Sequence, residues 1–492
     1  MSRRLRACLL LAAAALAGCP GPTDAGVDAP AVDGGAADAP PALDAPPGSD
    51  TPADAGPPPL PAIANPEPHR TPLSADGHDR LYGVVFAPDS SFYVVGVAGD
   101  STDASADFRT VVAHFGADGE LEPGFGTDGV AAQNLAVGTN GELARGIVLQ
   151  SDGSIVVSAT IEDTTAPSDP RDRDVALMRL TAAGELDPSF GEGGVRILDL
   201  SEGVLDGTTF RADAAYGLAV DAEDRIVLSC ERVRDGNSDV DWAVVRLTPD
   251  GALDATFDGD GVFSLDLDGR NARARGVRVL PTGDVVLSGY YDVMGSGTIV
   301  PVIFALRPDG TLDPAFGGGD GIYTETLLAI QTEAYDVAIL DDGRLVSAGY
   351  GRDAGTQNDL VAFRLSAAGV RDLTYGPDGA EGLVQLTEFA FADNARALHE
   401  LPGGGTLHVG ATRTSDAPAQ ADAMIWVLDG DGALDPAFDG DGWRAVNFAP
   451  GTVDHFWAAD VDPRGERVVV VGIGGTDPAA DDDGTVYLFP VP

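Results

Sequence analysis

Short apolar segments, rich in β-branched and aromatic residues, alternate with polar and glycine-containing turns over most of this 492-residue chain. Residues 84–86 with 94–97, and 277–280 with 285–287, are two pairs of such segments. The turns between segments of this kind include Ser151-Asp152-Gly153, Thr282-Gly283, Asp342-Gly343 and Arg464-Gly465. Apolar runs of this length predict strands, and a tight glycine turn between two of them predicts a hairpin. A longer variable loop follows each hairpin. A third apolar segment (VALMRL, WAVVRL or VIFAL) then ends in Ala-Ala-Gly or Pro-Asp-Gly, where glycine takes the positive φ that a reversal needs. Next come a large aromatic, a glycine-rich turn and a fourth segment; the aromatics are Phe125, Phe190, Phe257, Phe316, Tyr375 and Phe438. Each is expected to plug the hydrophobic layer of its unit.

The four-segment unit recurs. The stretch at 246–267, RLTPDGALDATFDGDGVFSLDL, has near copies beginning at Ala113, Arg179, Ala305, Arg364 and Val427. The hairpin piece recurs seven times, and its opening small-residue position (Gly83, Gly146, Gly217, Gly276, Asp336, Ala397, Ala458) returns every 59 to 71 residues. A fixed period of this size points to a repeat architecture. One four-stranded unit cannot cover both of its faces, whereas radial repetition lets neighbours cover each other. The pattern therefore predicts an all-β, seven-bladed β-propeller of four-stranded antiparallel blades over residues 69–492. The seventh unit has three strands and no copy of the aromatic-bearing piece. Residues 69–74, from His69 to Ser74, stand where a fourth strand of that blade would sit, so pairing the two ends should close the ring and remove an open edge.

The pattern DG-x-LD-x-x-FG-x-x-G at this spacing resembles the bacterial delta-60 repeat, a family of β-propeller-type repeats, and the resemblance covers roughly residues 69–492. It implies a scaffold without a settled activity and transfers no catalytic residues. The fifth copy departs from the pattern, with Val370-Arg371-Asp372-Leu373-Thr374-Tyr375 in place of the usual LDPSF, so that blade is expected to be distorted.

Ahead of the repeats, residues 1–18 carry a basic start (Arg3, Arg4, Arg6) and an apolar run too short to span a bilayer, which is the make-up of an export signal. Leu16-Ala17-Gly18-Cys19 resembles the bacterial lipobox, which implies acyl chains on Cys19; an ordinary secretory signal that happens to end in Cys is the alternative. Acyl chains contribute about 0.8 kcal/mol per buried CH2 and would hold the chain on a membrane. Pro20 after the Cys, by the same resemblance, favours an outer-membrane lipoprotein facing the periplasm or the cell surface. Residues 19–68 are mostly Pro, Ala, Asp and Gly, with nothing to build a core, and predict a disordered acidic tether.

Charge narrows the partners. The formal net charge is −48, and all 30 basic residues are Arg. Phosphate binding needs a basic stripe, so nucleic acid is excluded as a partner, and membrane contact should run through the lipid anchor only. The absence of Lys removes Schiff-base chemistry. Of the three cysteines only Cys230 falls within the repeats, so no intrachain disulfide is expected, and its apolar neighbours predict a buried, inert thiol.

Three groups of residues could carry chemistry. The position before each small residue reads Tyr82, Arg145, Tyr216, Arg275, Tyr335, Arg396 and Trp457 around the predicted ring. Arg alternating with aromatics near the channel could form a ligand collar, or could equally be packing between blades. The Asp-Gly runs with Asp258, Asp260, Asp439 and Asp441 could offer oxygens to Ca2+, although turn chemistry accounts for the same residues without a metal, and no other cofactor is expected. His399 and His408, on two strands of one hairpin, could share a metal. No nucleophile elbow, phosphate loop, HExxH or CxxC is present. The resulting expectation is a monomeric cell-envelope binding module whose partner is a protein or a polysaccharide. The alternative is a propeller enzyme, such as a polysaccharide lyase, hydrolase or quinoprotein-like dehydrogenase, in which His, Asp, Glu or Arg from several blades converge on a channel mouth. The loops at 98–108 and 162–174 are the expected variable partner surface.

Overall fold

The computed structural model describes residues 58–74, 78–99, 107–136, 141–162, 172–206, 209–233, 239–293, 297–355, 357–377, 381–387, 393–413, 421–477 and 481–492. Cys19, the export signal and the tether up to residue 57 lie outside the described residues, as do 100–106 and 163–171 of the two variable loops. Pro59–Pro492 form one compact unit, which takes in residues 59–68 that composition alone assigns to the tether.

Among the described residues there is no α-helix, and the strands fall into seven blades. Blade 3 shows the pattern: Ala214–Val220, Ile226–Val233, Val240–Leu247 and Val262–Leu265 pair antiparallel in chain order. The middle two strands of each blade are the most buried, because other blades cover both of their faces. The first strands of the other blades are Asp79–Phe86, Leu143–Leu149, Ala272–Val279, Gln331–Ile339, Asp393–Glu400 and His455–Val461. Each packs beside the first strand of the next blade, and that of blade 7 packs beside that of blade 1, so the ring is closed. A short extra hairpin, Val204–Asp206 with Thr209–Arg211, lies between blades 2 and 3.

Ring closure uses the N-terminal segment, as the strand count predicts. His69 pairs with Val486 and Arg70 with Thr485, completing blade 7 as its fourth strand. The added strand is only two residues long. Leu73 and Ser74 have already turned away, and their N–H groups donate to Asp79 at 2.6 and 2.9 Å.

The recurring aromatic turns out to act between blades. The buried apolar side chains of the described residues form seven clusters, and each spans one junction between neighbouring blades. Phe125, Phe190, Phe257, Phe316, Tyr375 and Phe438 each belong to a different cluster. From blade 1 to blade 5 the aromatic residue lies on the turn glycine of the next blade, whereas Phe438 of blade 6 meets Phe489 of blade 7 at 6.1 Å. A Cβ on Gly251 would come within 2.8 Å of the Phe190 ring, and one on Gly369 within 2.6 Å of the Phe316 ring. Both glycines also hold positive φ, of 87° and 69°, so conformation and close approach demand glycine together. The backbone N–H after the aromatic then donates to the next blade's turn carbonyl: Gly126 to Ala183 at 2.9 Å, Gly191 to Asp250 at 3.1 Å, Asp258 to Asp309 at 2.8 Å, Gly317 to Ala368 at 3.0 Å and Gly376 to Asp431 at 2.7 Å.

In blades 2, 3 and 5 an Arg at the end of the third strand completes this clasp. Arg246 lies over the Phe257 ring at 4.7 Å and donates to Asp254 at 2.8 Å, to Thr256 at 3.0 Å and to the Pro308 carbonyl of blade 4 at 2.5 Å. Arg179 does the same with Asp187, Ser189 and Pro249 O. Arg364 does so with Asp372 and Gly430 O. The expected distortion of blade 5 is absent. Its clasp needs Arg364, Asp372, Thr374 and Tyr375, all of which the variant stretch retains, while the substituted Val370 and Leu373 face solvent.

The junction between blades 7 and 1 lacks the aromatic-bearing piece, and residues 61–67 replace it. Ile63 packs into that junction's cluster, where the other junctions have their aromatic. Ala64 N–H donates to the Asp118 carbonyl at 2.9 Å, the counterpart of the five bonds above. Arg467 donates to the carbonyls of Ala117 and Pro61. The N-terminal segment therefore supplies both the missing strand and the missing plug.

A second set of staples uses a carboxylate three residues before the channel-facing position of the first strand. Asp213 accepts from Leu200 and Ser201 N–H at 2.6 and 2.9 Å, and Asp454 from Phe448 and Gly475 N–H, each at 2.9 Å. Glu142 accepts from Ala136 and Thr110 N–H. Burial pushes the pKa of Asp213 and of Asp393 up to about 7, and those of Glu142 and Asp454 upward as well.

Two outcomes follow. Removing residues 59–70 together with everything ahead of them should lower Tm by roughly 5 to 15 °C relative to removing residues 1–57 alone, given that 1 kcal/mol corresponds to about 2–4 °C in a domain of 150–250 residues and less in a larger one. Equal melting temperatures in scanning calorimetry would contradict the closure. The buried carboxylates should also link stability to pH, against His399, His408 and His455, whose depressed pKa values act in the opposite direction below about 6.5. Asp213 and Asp393 hold protons when folded up to pH near 7 but lose them near the ordinary 3.8 when unfolded, so their stabilisation is complete at low pH and disappears as pH rises toward 7. Asp187 and Asp372, held below the ordinary value by hydrogen bonds from Ser189 and Thr374, act in the opposite sense and are lost only on stronger acidification. Asp213→Asn should therefore raise Tm at pH 8 relative to Tm at pH 5 when compared with the unaltered protein, and an unchanged difference between the two pH values would refute the linkage.

Candidate functional site

Each first strand carries one extra residue at the same place, a β-bulge, and the bulge re-aims a side chain. The pairing slips between Leu81 and Gly83, Ala144 and Gly146, Ala215 and Leu218, Ala274 and Val277, Ala334 and Asp336, Ala395 and Ala397, and Phe456 and Ala458. The extra residues include Tyr82, Arg145, Tyr216, Arg275, Tyr335, Arg396 and Trp457. In blades 1 to 4 the residue after the extra one is a glycine held by close approach: a Cβ on Gly83 would lie 2.3 Å from the Arg145 carbonyl oxygen, and one on Gly217 2.6 Å from that of Arg275, whereas Asp336, Ala397 and Ala458 fill the position in blades 5 to 7.

The seven bulge residues come together at the central channel, a cavity of about 540 Å3. They form a nearly continuous stacked belt. Arg145 lies over Tyr216 at 5.0 Å; Arg275 lies between Tyr216 at 4.4 Å and Tyr335 at 4.9 Å; Arg396 lies between Tyr335 at 4.4 Å and Trp457 at 4.9 Å. Seven is odd, so strict alternation must fail once. It fails at Trp457 and Tyr82, which meet edge to face at 5.2 Å; two neighbouring arginines would instead repel. The belt packs the blades together, as one reading of the sequence expects, and the same side chains line the channel.

The three belt arginines differ in what holds their edges. Arg275 donates to Glu231 at 3.1 Å, to Tyr290 at 2.8 Å and to the Ala274 carbonyl at 2.6 Å. Arg396 donates through Nε to His455 at 3.3 Å and makes no carboxylate ion pair within 4.0 Å among the described residues. Arg145 has only its ring contact and longer-range electrostatic neighbours.

Farther along the channel the repeat symmetry breaks. Blades 1, 2 and 3 present Val85, Val148 and Ala219, whereas blades 4 to 7 present Arg278, Asp336, His399 and Asp460. Arg278 donates to Asp336 at 2.9 Å, and Asp336 also accepts the Leu398 N–H of blade 6 at 3.2 Å. His399 Nε2 lies 3.4 Å from Asp460, which accepts the Phe86 N–H of blade 1 at 2.7 Å. Burial and nearby Arg278 push the His399 pKa down to about 4, and burial pushes that of Asp460 up to about 6. Near neutrality His399 is therefore uncharged.

Other sequence candidates are scattered. Asp258 and Asp260 sit in blade 3, Asp439 and Asp441 in blade 6, so the two pairs do not meet. Asp258 and Asp439 occupy left-handed turn positions with φ of 49° and 50°, and Asp260 and Asp441 accept turn N–H groups from Val262 and Trp443. Carboxylates within reach of a common cation occur elsewhere, in Asp174, Asp199 and Asp213 and in Asp239, Asp241 and Asp266. His399 and His408 do not share a ligand site. Leu398 pairs with His408, so His399 points to the opposite face, and His408 is buried against Trp426 with Thr406 at 2.8 Å. Cys230 is buried and free, and burial pushes its thiol pKa up.

The polar arc was missed by motif reading because it is not a motif. Its signal lies in the aligned copies, where Asp336 fills a small-residue column and Arg278, His399 and Asp460 fill a column that elsewhere holds Val or Ala.

Residues 150–190 and 226–257 match a family model described as a domain of unknown function (DUF5122) β-propeller. These are propeller repeats. The match lies in blades 2 and 3, over the second strand, third strand and clasp. No curated protein matches the chain. Among solved structures, the polysaccharide lyase Uly1 is similar at a TM-score of 0.45 and 9% identity, with 83% of this chain and 89% of that one covered. Drosophila Semaphorin 2a is similar at 0.44 and 8%, covering 87% and 76%. The β-propeller domain of the trilobed protease from Pyrococcus furiosus is similar at 0.40 and 9%, covering 84% and 94%. Likenesses this distant bring no activity or ligand to this chain.

Proposed function

We propose that this propeller is a cell-envelope binding module whose channel takes a saccharide chain at the arginine and aromatic belt. In this reading Cys19 anchors the chain by lipid to the outer membrane, and the Pro-, Ala-, Asp- and Gly-rich residues 20–57 link anchor and propeller. The observation that carries it is the channel wall. The Val85, Val148 and Ala219 arc, with the channel-facing ring edges of the belt, suits the apolar faces of sugar rings. The edges of Arg145 and Arg396, with the arc from Arg278 to Asp460, suit hydroxyl and acidic groups.

A second reading, an enzyme at the same channel, is favoured by one observation. Asp460 is pushed up to about 6, while Asp336 is paired with Arg278, and carboxyls in such unlike surroundings are what acid-base cleavage of glycosidic bonds uses.

A glycan screen of the full-length protein in detergent tests both readings. Binding is expected, and Trp457→Ala or Arg396→Ala should weaken it at least about tenfold, roughly 1.4 kcal/mol, with Tm still showing a folded chain. Undiminished affinity in both variants would remove the channel as the site. Shortened chains after incubation, lost in Asp460→Asn, would favour the enzyme instead. Cys19→Ser should move the protein from the membrane pellet to the soluble fraction, and continued pelleting would refute the anchor.

A further inference from the structure

Next to the belt, blades 2 and 3 leave a separate cleft of about 160 Å3, closed on one side by Arg273 of blade 4. It shares Arg145 and Tyr216 with the channel, and its other polar lining includes Arg173, Arg273, Glu231 and Thr160. We propose that this cleft is an anion subsite, seating one carboxylate or sulfate group of an acidic polysaccharide whose sugar ring lies against the belt. The proposal rests on the channel-binding reading and adds the chemical class of its ligand.

Charge balance carries the argument. Three guanidinium groups line the cleft against one carboxylate, and that carboxylate is fully engaged: Glu231 Oε2 accepts from Arg273 at 3.0 Å and Oε1 from Arg275 at 3.1 Å. Neither Arg145 nor Arg173 has a side-chain hydrogen bond or carboxylate ion pair within 4.0 Å among the described residues. Glu162 stands opposite Arg173 in the strand pairing and does not form one with it. In a chain with 78 acidic residues against 30 arginines, two arginines left without a carboxylate beside one cavity are local exceptions to the overall charge. Arg145 is moreover fixed in plane by its stack on Tyr216, which leaves its N–H edge as the part able to bind. A guanidinium edge offers paired donors that match the two oxygens of a carboxylate or sulfate. The cleft's volume of about 160 Å3 leaves room for such a group.

The overall charge of −48 repels a polyanion at long range. Salt near 0.15 M shortens that repulsion to about 8 Å, so the test belongs at that ionic strength. The full-length protein in detergent is titrated with polygalacturonate, dextran sulfate and neutral dextran. At least one acidic polymer is expected to bind ten times or more tighter than dextran, and the better of the two identifies carboxylate or sulfate. Arg173→Ala, which leaves the belt intact, should bring that polymer to within about threefold of dextran; Arg145→Gln should act in the same direction. Equal binding of acidic and neutral polymers, with Trp457→Ala still abolishing it, would overturn the subsite and leave the channel reading standing. An acidic preference that survives Arg173→Ala would also overturn it. If none of the three polymers binds, the subsite fails together with the reading beneath it.

Discussion

One contact, repeated at five of the seven seams, holds this molecule together: the aromatic of one blade resting on the turn glycine of the next. A blade of four short strands exposes two apolar faces and cannot be stable alone. The plug covers the seam between two such faces. The backbone bond beside it fixes how far the blades can slide, and in blades 2, 3 and 5 a buried arginine ties the seam to the following turn. The energetic scale is considerable, because emptying a buried aromatic site of this kind typically costs about 3–5 kcal/mol. The same contact explains why aromatic and glycine recur together, since they are two halves of one joint carried by different blades.

A ring built from such joints runs out at blade 7, which has no aromatic-bearing piece of its own to meet blade 1. Here the N-terminal segment stands in for a whole missing piece, with Ile63 at the plug position, Ala64 donating to the Asp118 turn and His69–Arg70 completing the sheet. Closing the ring with sequence remote from the last blade ties the ends of the chain together, so neither end leaves a long unpaired edge.

The central channel is a by-product of the same geometry that has acquired chemistry. Bulges at one level turn seven side chains inward, and stacking arginine between aromatics lets cations sit in a packed setting without one carboxylate for each. Such a belt is held in place, because most of its members are stacked from both sides. Below it, the polar residues of four blades face the apolar residues of three, giving the channel two unlike walls.

Period, strand count and turn chemistry were all legible in the sequence, because a 59 to 71 residue repeat of four apolar segments has one economical way to bury itself. The collar was legible too, as a column in the aligned copies. Blade 5 retained its shape against expectation because the four residues of its clasp survived while the altered ones faced water. What only the tertiary structure decided was everything made between blades. That the aromatic belongs to the neighbour's joint, that Ile63 replaces it at the last seam, that Asp336 and His399 meet groups on other strands, and that Arg145 and Arg173 share a cleft all depend on contacts between residues far apart in the chain. Local pattern specifies each blade, and only packing one blade on the next brings those side chains within reach of each other.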